Sequence, residues 1–144
     1  MPNFSLSSSL AAVVLFAAAS FSASAQSLLP QKQGETVKLN TVISFPRGEM
    51  SGICALLDDG GTLNGCVFNE FGISALDFTY RLGAKKAKIV HAASVLDKWY
   101  IKRVLSRDLA AALNGFERGD SVYTNTKRHI VYQFSTFTAN DSKE

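Results

Sequence analysis

The stretch SGICALLDDGGTLNGCVF, residues 51–68, decides the fold, because it reads as two strands joined by a tight turn. Asp and Gly residues between two apolar arms, here DDGG, are a strong hairpin signal. The two cysteines of the chain, Cys54 and Cys66, lie one in each arm. A three-residue loop would place them opposite each other, where a disulfide can form. A four-residue loop would shift the register by one residue and separate them, so the sequence leaves both alternatives open.

The segments around this hairpin alternate between apolar and polar residues, which is typical of half-buried strands. We predict strands in TVKLNTVISF (36–45), in ISALDFTYRL (73–82) and in KKAKIVHA (85–92). The lysines of the last segment favour an edge or near-edge position in the sheet. The residues predicted to share faces are Val37, Leu39, Thr41, Ile43 and Phe45 in the first strand, Leu76, Phe78, Tyr80 and Leu82 in the second, and Ala87, Ile89 and His91 in the third.

From Ala92 the periodicity changes to that of a helix, which we expect to stop at Asn114-Gly115. The apolar positions form two stripes, so the segment is either a short helix followed by a longer one or one helix that kinks near Tyr100. Arg103 and Arg107 fall outside the longer stripe and are expected to face solvent. Two strands, SVYTN and HIVYQFSTF, follow and complete the domain.

This order of elements predicts an α+β fold. We expect a curved antiparallel sheet of about seven strands, an incomplete barrel, with the helical segment inserted before the last two strands and covering one face.

The first 25 residues are predicted to be a cleaved signal peptide. An uncharged apolar run of about a dozen residues, Leu10 to Phe21, precedes Ala23-Ser24-Ala25, which matches a small-residue cleavage site. An uncleaved N-terminal anchor is the alternative. We therefore expect a signal peptide at 1–25, a flexible lead-in at 26–35, one domain at 36–137 and a disordered tail at 138–144, in a protein that is exported, with the periplasm as its compartment.

Charge and motifs argue against several classes of function. The net charge of +3 is mild, and with the predicted export it disfavours nucleic acid as a partner. Neither His91 nor His129 has an acidic residue at a helical or metal-ligand spacing, and two cysteines alone cannot form a four-ligand zinc site. Asp97 and Asp108 are expected to form helical ion pairs with neighbouring Lys and Arg. We predict no enzymatic activity, no catalytic residues, no metal and no cofactor.

Aromatic residues are the remaining signal, since each buries roughly 150–250 Å². They either fill a core or line a cavity that receives an acyl chain. The residues predicted to line such a cavity are Phe68, Leu76, Phe78, Tyr80, Trp99 and Phe134.

The order of elements resembles the LolA/LolB-like superfamily of periplasmic lipoprotein carriers. The resemblance rests on the SG that opens one strand, the FG before the central strand, and RVLSRDL at 103–109, and it extends over about residues 36–137. It implies an unclosed β-barrel with a helical lid and a hydrophobic cavity for acyl chains. The chain lacks the lipid-modified Cys of the receptor member and is shorter than a full carrier.

The resulting hypothesis is a non-enzymatic envelope protein that binds a lipid or lipoprotein acyl chain. The alternative is a fully packed envelope domain whose partner is another protein.

Overall fold

The computed structural model describes residues 27–137. The predicted signal peptide at 1–25 and the predicted tail at 138–144 lie outside the described residues. Within this range the chain forms seven strands and one helix. They are β1 (Thr36–Phe45), β2 (Gly48–Asp59), β3 (Thr62–Phe68), β4 (Ser74–Arg81), β5 (Lys88–Ala92), α1 (Trp99–Phe116), β6 (Val122–Asn125) and β7 (Ile130–Thr136).

The strands form one antiparallel sheet in the order β5-β4-β3-β2-β1-β7-β6, with the helix inserted before the last two strands. The predicted fold class is thus confirmed. Residues of one parity in each strand share the face that packs against α1, as the alternation predicts. This inner face carries the buried side chains of Leu39, Ile43, Leu56, Leu63, Val67, Leu76, Phe78, Tyr80, Tyr132 and Phe134.

The sheet curls around the helix without closing into a barrel. Seven strands laid flat at about 4.8 Å spacing span about 29 Å, yet both ends of the sheet reach the same turn of α1. Ala87, just before β5, donates its N–H to the carbonyl of Ser106 at 2.9 Å. Two helix residues further on, Asp108 accepts hydrogen bonds from Asn125 of the opposite edge strand, β6. The helix therefore fills the gap between two edges that do not pair with each other.

Helix α1 begins at Trp99, and the segment before it consists of turns. The amide of Leu96 donates to the carbonyl of Ala93 at 2.7 Å, and that of Lys98 donates to Leu96 at 2.9 Å. The longer predicted helix is confirmed, whereas the predicted short helix is replaced by these turns. The helix continues to Phe116, one residue past Gly115.

The β2–β3 hairpin has a two-residue loop, Gly60-Gly61, because Asp59 pairs with Thr62. Both glycines have positive φ, 65° and 95°, which a two-residue type I′ turn requires at both central positions. Cys54 consequently pairs with Val67, and Cys66 pairs with Ala55.

This register places the two cysteines on opposite faces of the sheet, and both thiols are free. The disulfide that a three-residue loop would have allowed is not formed, so that alternative is wrong.

The segment before β1 contacts the domain over its described part. The N–H of Leu28 donates to the carbonyl of Phe116 at 2.9 Å, and Leu29 is only 7% exposed within the core. Gly34 and Glu35 exchange backbone hydrogen bonds with Asp58 near the β2–β3 turn. The described part of the predicted lead-in at 26–35 thus contacts the end of α1 and the β2–β3 hairpin, and its flexibility stays a prediction.

Candidate functional site

Four of the six predicted cavity residues, Leu76, Phe78, Tyr80 and Phe134, come together on the inner face. They contact the helix and belong to its buried core. The Tyr80 hydroxyl is hydrogen-bonded to the Asn114 side chain. The rings of Phe134 and Phe116 meet edge to face at 4.8 Å between centroids. These side chains therefore fill the interior between the helix and the sheet.

The other two predicted cavity residues lie elsewhere. Phe68 has the parity of Cys66 and points to the outer face of the sheet, away from the helix. Trp99 is the first residue of α1 and is 73% exposed. The predicted cavity set is thus divided: four residues lie in the core, Phe68 lies on the outer face because of its strand parity, and Trp99 lies at the exposed start of α1.

A polar cluster on the outer face combines a thiol, a hydroxyl, a carboxylate and an imidazole. Cys66 donates to Ser74 Oγ at 3.6 Å, Ser74 donates to Asp77 Oδ1 at 2.9 Å, and His91 Nδ1 lies 3.7 Å from Asp77 Oδ2. Burial, and then the neighbouring Asp77, raise the pKa of the Cys66 thiol. A nucleophilic cysteine needs a lowered pKa, so the geometry does not activate this thiol.

Sequence reasoning missed this cluster because it placed His91 on the face of Ile89. A register shift between β4 and β5 pairs Asp77 with His91 and Phe78 with Ile89, which moves His91 to the outer face. Such a bulge reverses the parity of the residues beyond it. The sequence signal that could have found the pair is the antiparallel pairing of β4 with β5, not a spacing within one strand.

An apolar groove lies where the N-terminal half of α1 passes the end of the sheet at which β1 stops and β7 starts. We call it the rim groove. Its volume is about 430 Å³, within the range of roughly 300–1,000 Å³ for small-molecule sites. Arg128 is the one charged residue in its lining. The lining residues are Phe45, Pro46, Val95, Leu96, Tyr100, Ile101, Val104, Leu105, Arg128 and Ile130.

A second cavity, of about 450 Å³, lies on the neighbouring side of the same half of the helix. We call it the basic pocket. The helix contributes Trp99, Arg103 and Arg107, and the turn between β6 and β7 contributes Lys127 and Arg128. Tyr100 and Val104 line both cavities, as does Arg128, so the rim groove and the basic pocket lie side by side and share a wall.

Asp108 forms the buried floor of the basic pocket and holds the β6–β7 turn against the helix. It is 4% exposed and accepts the Asn125 side-chain amide at 3.0 Å on both oxygens. Its Oδ2 also accepts the Tyr132 hydroxyl at 2.7 Å. Burial, and then this hydrogen bond to Asp108, raise the pKa of Tyr132. The predicted helical ion pair of Asp108 is wrong, because its oxygens are used by neutral donors from β6 and β7.

The cations of the basic pocket have no carboxylate partner among residues 27–137. The ion pairs within residues 27–137 join Lys102 to Asp97 at 2.8 Å, Arg118 to Asp120, and His91 to Asp77. Asp97 thus forms its expected ion pair, from the turn before the helix. None of these pairs includes Arg103, Arg107, Lys127 or Arg128. The pocket therefore carries four side-chain cations and one buried carboxylate that is already hydrogen-bonded.

No group of three or more His, Cys, Asp or Glu residues in the described range is arranged to hold a metal ion. In the same part of the chain, no helix combines the length and the apolar character needed to cross a membrane. The absence of a metal, of a cofactor and of enzymatic activity stays a prediction.

These features define an open antiparallel sheet curled around one helix, with an apolar and a basic cavity at its rim. Comparisons of the chain with protein-family models, with curated proteins and with solved structures find no match. The resemblance to lipoprotein carriers therefore stays a prediction that rests on the short motifs quoted above.

Proposed function

We propose that this protein is an exported lipid-binding protein that holds an acyl chain in the rim groove. The observation that carries the proposal is the lining of the groove, in which Ile101, Val104 and Ile130 form an open apolar trough of about 430 Å³. An apolar concavity with few polar groups is the usual form of a site for an apolar ligand. The predicted signal peptide supports the proposal, since an exported protein would meet lipid and lipoprotein acyl chains in the periplasm.

The groove replaces the interior cavity expected from the sequence. The inner face of the sheet is covered by α1, whereas Ile101 and Val104, which precede the first buried helix residue, Leu105, are only half-buried. Val95 is 72% exposed at the edge of the groove. An acyl chain laid there would remove both the exposed valine and the half-buried Ile101 and Val104 from water.

A homologous series of fatty acids tests the proposal. Each methylene group moved from water into the groove contributes about 0.8 kcal/mol, which is about a fourfold change in Kd. We expect Kd to fall by that factor per methylene from octanoate to dodecanoate, below micelle-forming concentrations, and to level off once the groove is full. Calorimetry measures the series, and native mass spectrometry of protein purified without detergent checks for co-purified lipid.

Two matched valine substitutions locate the site. Val95→Asn places an amide at the edge of the groove and is expected to weaken dodecanoate binding about tenfold, since a buried apolar side chain is worth about 1.5 kcal/mol or more. Val90→Asn is the control, because Val90 is similarly exposed, at 61%, but lies on β5 outside the groove. If Kd does not change with the length of the fatty acid, and native mass spectrometry finds no co-purified lipid, the groove is not an acyl site.

A second function is favoured by one observation, the filled interior between the sheet and α1. Twenty buried residues form one cluster there, as expected for an envelope domain whose partner is another protein. In that case the fatty-acid series shows no binding, and a pull-down from envelope extract recovers a protein partner that Val95→Asn does not retain.

A further inference from the structure

We infer that the ligand of the rim groove is an anionic amphiphile whose phosphate or carboxylate headgroup binds in the adjoining basic pocket. This inference rests on the proposed function, and it adds the chemistry of the headgroup. It depends on three features: the shared wall of the two cavities, the unpaired cations of the pocket and the origin of those cations in two separate elements.

Because the two cavities share a wall, the acyl chain and the headgroup of one ligand can occupy them at the same time. Tyr100 and Val104 line both cavities, and they lie one helical turn apart on α1. Arg128 lines both cavities from the other side. A chain in the groove can therefore bring its first polar atoms to Arg128 without leaving the apolar trough.

The charge of the pocket selects the headgroup. Arg103 and Arg107 lie one turn apart on α1, and Lys127 and Arg128 approach them from the β6–β7 turn. Guanidinium groups bind phosphate and carboxylate through paired hydrogen bonds. The buried carboxylate beneath them already accepts hydrogen bonds from Asn125 and Tyr132, so it leaves the four cations available to an external anion.

The turn that carries two of the cations has a defined conformation. The side chain of Asn125 accepts the backbone N–H of Arg128 at 3.1 Å while its amide donates to Asp108. His129 follows with a positive φ of 57°, a conformation in which His is enriched among non-glycine residues. Asn125 is therefore hydrogen-bonded both to the backbone of its own turn and to the helix. These two hydrogen bonds hold Lys127 and Arg128 beside the pocket.

Amphiphiles with one chain and different headgroups test the inference. We expect dodecyl phosphate to bind at least tenfold more tightly than uncharged dodecyl maltoside, and the difference to shrink as salt screens the pocket. Arg103→Gln combined with Arg107→Gln is expected to remove most of this difference and to leave dodecyl maltoside within about twofold of its original Kd.

The control variant combines Lys32→Gln with Lys38→Gln, which removes the same charge. Both lysines are exposed, Lys32 before β1 and Lys38 at its third residue. The groove lies at the other end of this strand, where Phe45 is about 23 Å from Lys38 at 3.3 Å per residue. The control is expected to keep the preference for dodecyl phosphate.

The outcomes separate the inference from the proposed function. If neither amphiphile binds, the proposed function fails. If both bind with equal affinity and the arginine variant changes nothing, the acyl site stands and the anionic headgroup is wrong. Inorganic phosphate alone, or a short single-stranded oligonucleotide, binding as tightly as dodecyl phosphate would also overturn the inference, because the chain would then contribute nothing.

Discussion

The buried carboxylate beneath the basic pocket provides the sharpest test of how the helix and the β6–β7 hairpin are joined. Asp108→Ala removes the acceptor of two side-chain donors, the Tyr132 hydroxyl at 2.7 Å and the Asn125 amide at 3.0 Å. Tyr132 is fully buried, so its hydroxyl cannot turn to water instead. An unsatisfied buried polar group costs about 1–3 kcal/mol.

The expected loss is therefore about 2–4 kcal/mol, mostly from Tyr132, because Asn125 is only half-buried and partly regains water. Relief from burying a carboxylate offsets some of the lost hydrogen-bond energy, so the sum of the two hydrogen bonds is an upper limit. A loss of this size is a large fraction of a typical stability of about 5–15 kcal/mol. Urea denaturation followed by far-ultraviolet circular dichroism measures it.

A double-mutant cycle isolates the Asp108–Tyr132 interaction. Tyr132→Phe removes the donor, so in the double variant no hydroxyl is left unsatisfied. The double variant should then be more stable than additivity predicts by about 1–2 kcal/mol. Asp97→Ala is the control, because that carboxylate pairs with Lys102 at the surface, and it should denature at the wild-type urea concentration. Additive losses, or an Asp108→Ala protein as stable as the wild type, would refute the reasoning.

Three further predictions concern the sheet. In native protein a thiol reagent should modify Cys66 and spare Cys54, since burial raises the pKa of Cys54 to about 12. Two thiols should react in denaturant, whereas no reactive thiol would reveal a bridge between them. Gly65→Ala should lower the free energy of unfolding by about 1–3 kcal/mol, because its Cβ would overlap the Phe78 ring; an unchanged urea midpoint would contradict this packing. A hydrogen bond from Cys66 lowers the pKa of Asp77, so its stabilisation is present above the unfolded value of about 3.9 and is lost as pH falls through the lower folded value. Asp77→Asn should flatten that acid limb of the stability curve, and an unaltered limb would exclude the linkage.

Alternation predicted the strands because one face of each strand is buried against the same helix. Leu76, Phe78 and Tyr80 show this most clearly, since all three lie on the predicted face. The hairpin loop was predicted with the wrong length, although two successive glycines contain the signal for a two-residue turn of positive φ. The sequence left the bridged and the separated cysteines both open, and the structure has them separated, because one residue of register exchanges the two faces of a strand.

The candidate site could not be predicted from local patterns, since its parts come from separate elements. Arg103 and Arg107 were correctly expected to face solvent, but their approach to Lys127 and Arg128 depends on how the last hairpin docks. Asp108 fixes that docking through partners in β6 and β7, and a helical spacing rule considers only neighbours on the same helix. Long-range contacts of this kind leave no periodic signal in the sequence.

The position of the site follows from a mismatch between the helix and the sheet. All eight fully buried residues of α1 lie from Leu105 onward, where the curled sheet surrounds the helix on both sides. Ile101 and Val104, in the preceding turn, are only half-buried against the core, and they line the rim groove together with Phe45 at the end of β1 and Ile130 at the start of β7. A helix that served only to cover the sheet would carry charged and polar residues on the side that faces solvent. The apolar surface of Ile101 and Val104 that stays accessible, beside the unpaired Arg103 and Arg107, is the surface that the proposed ligand would cover.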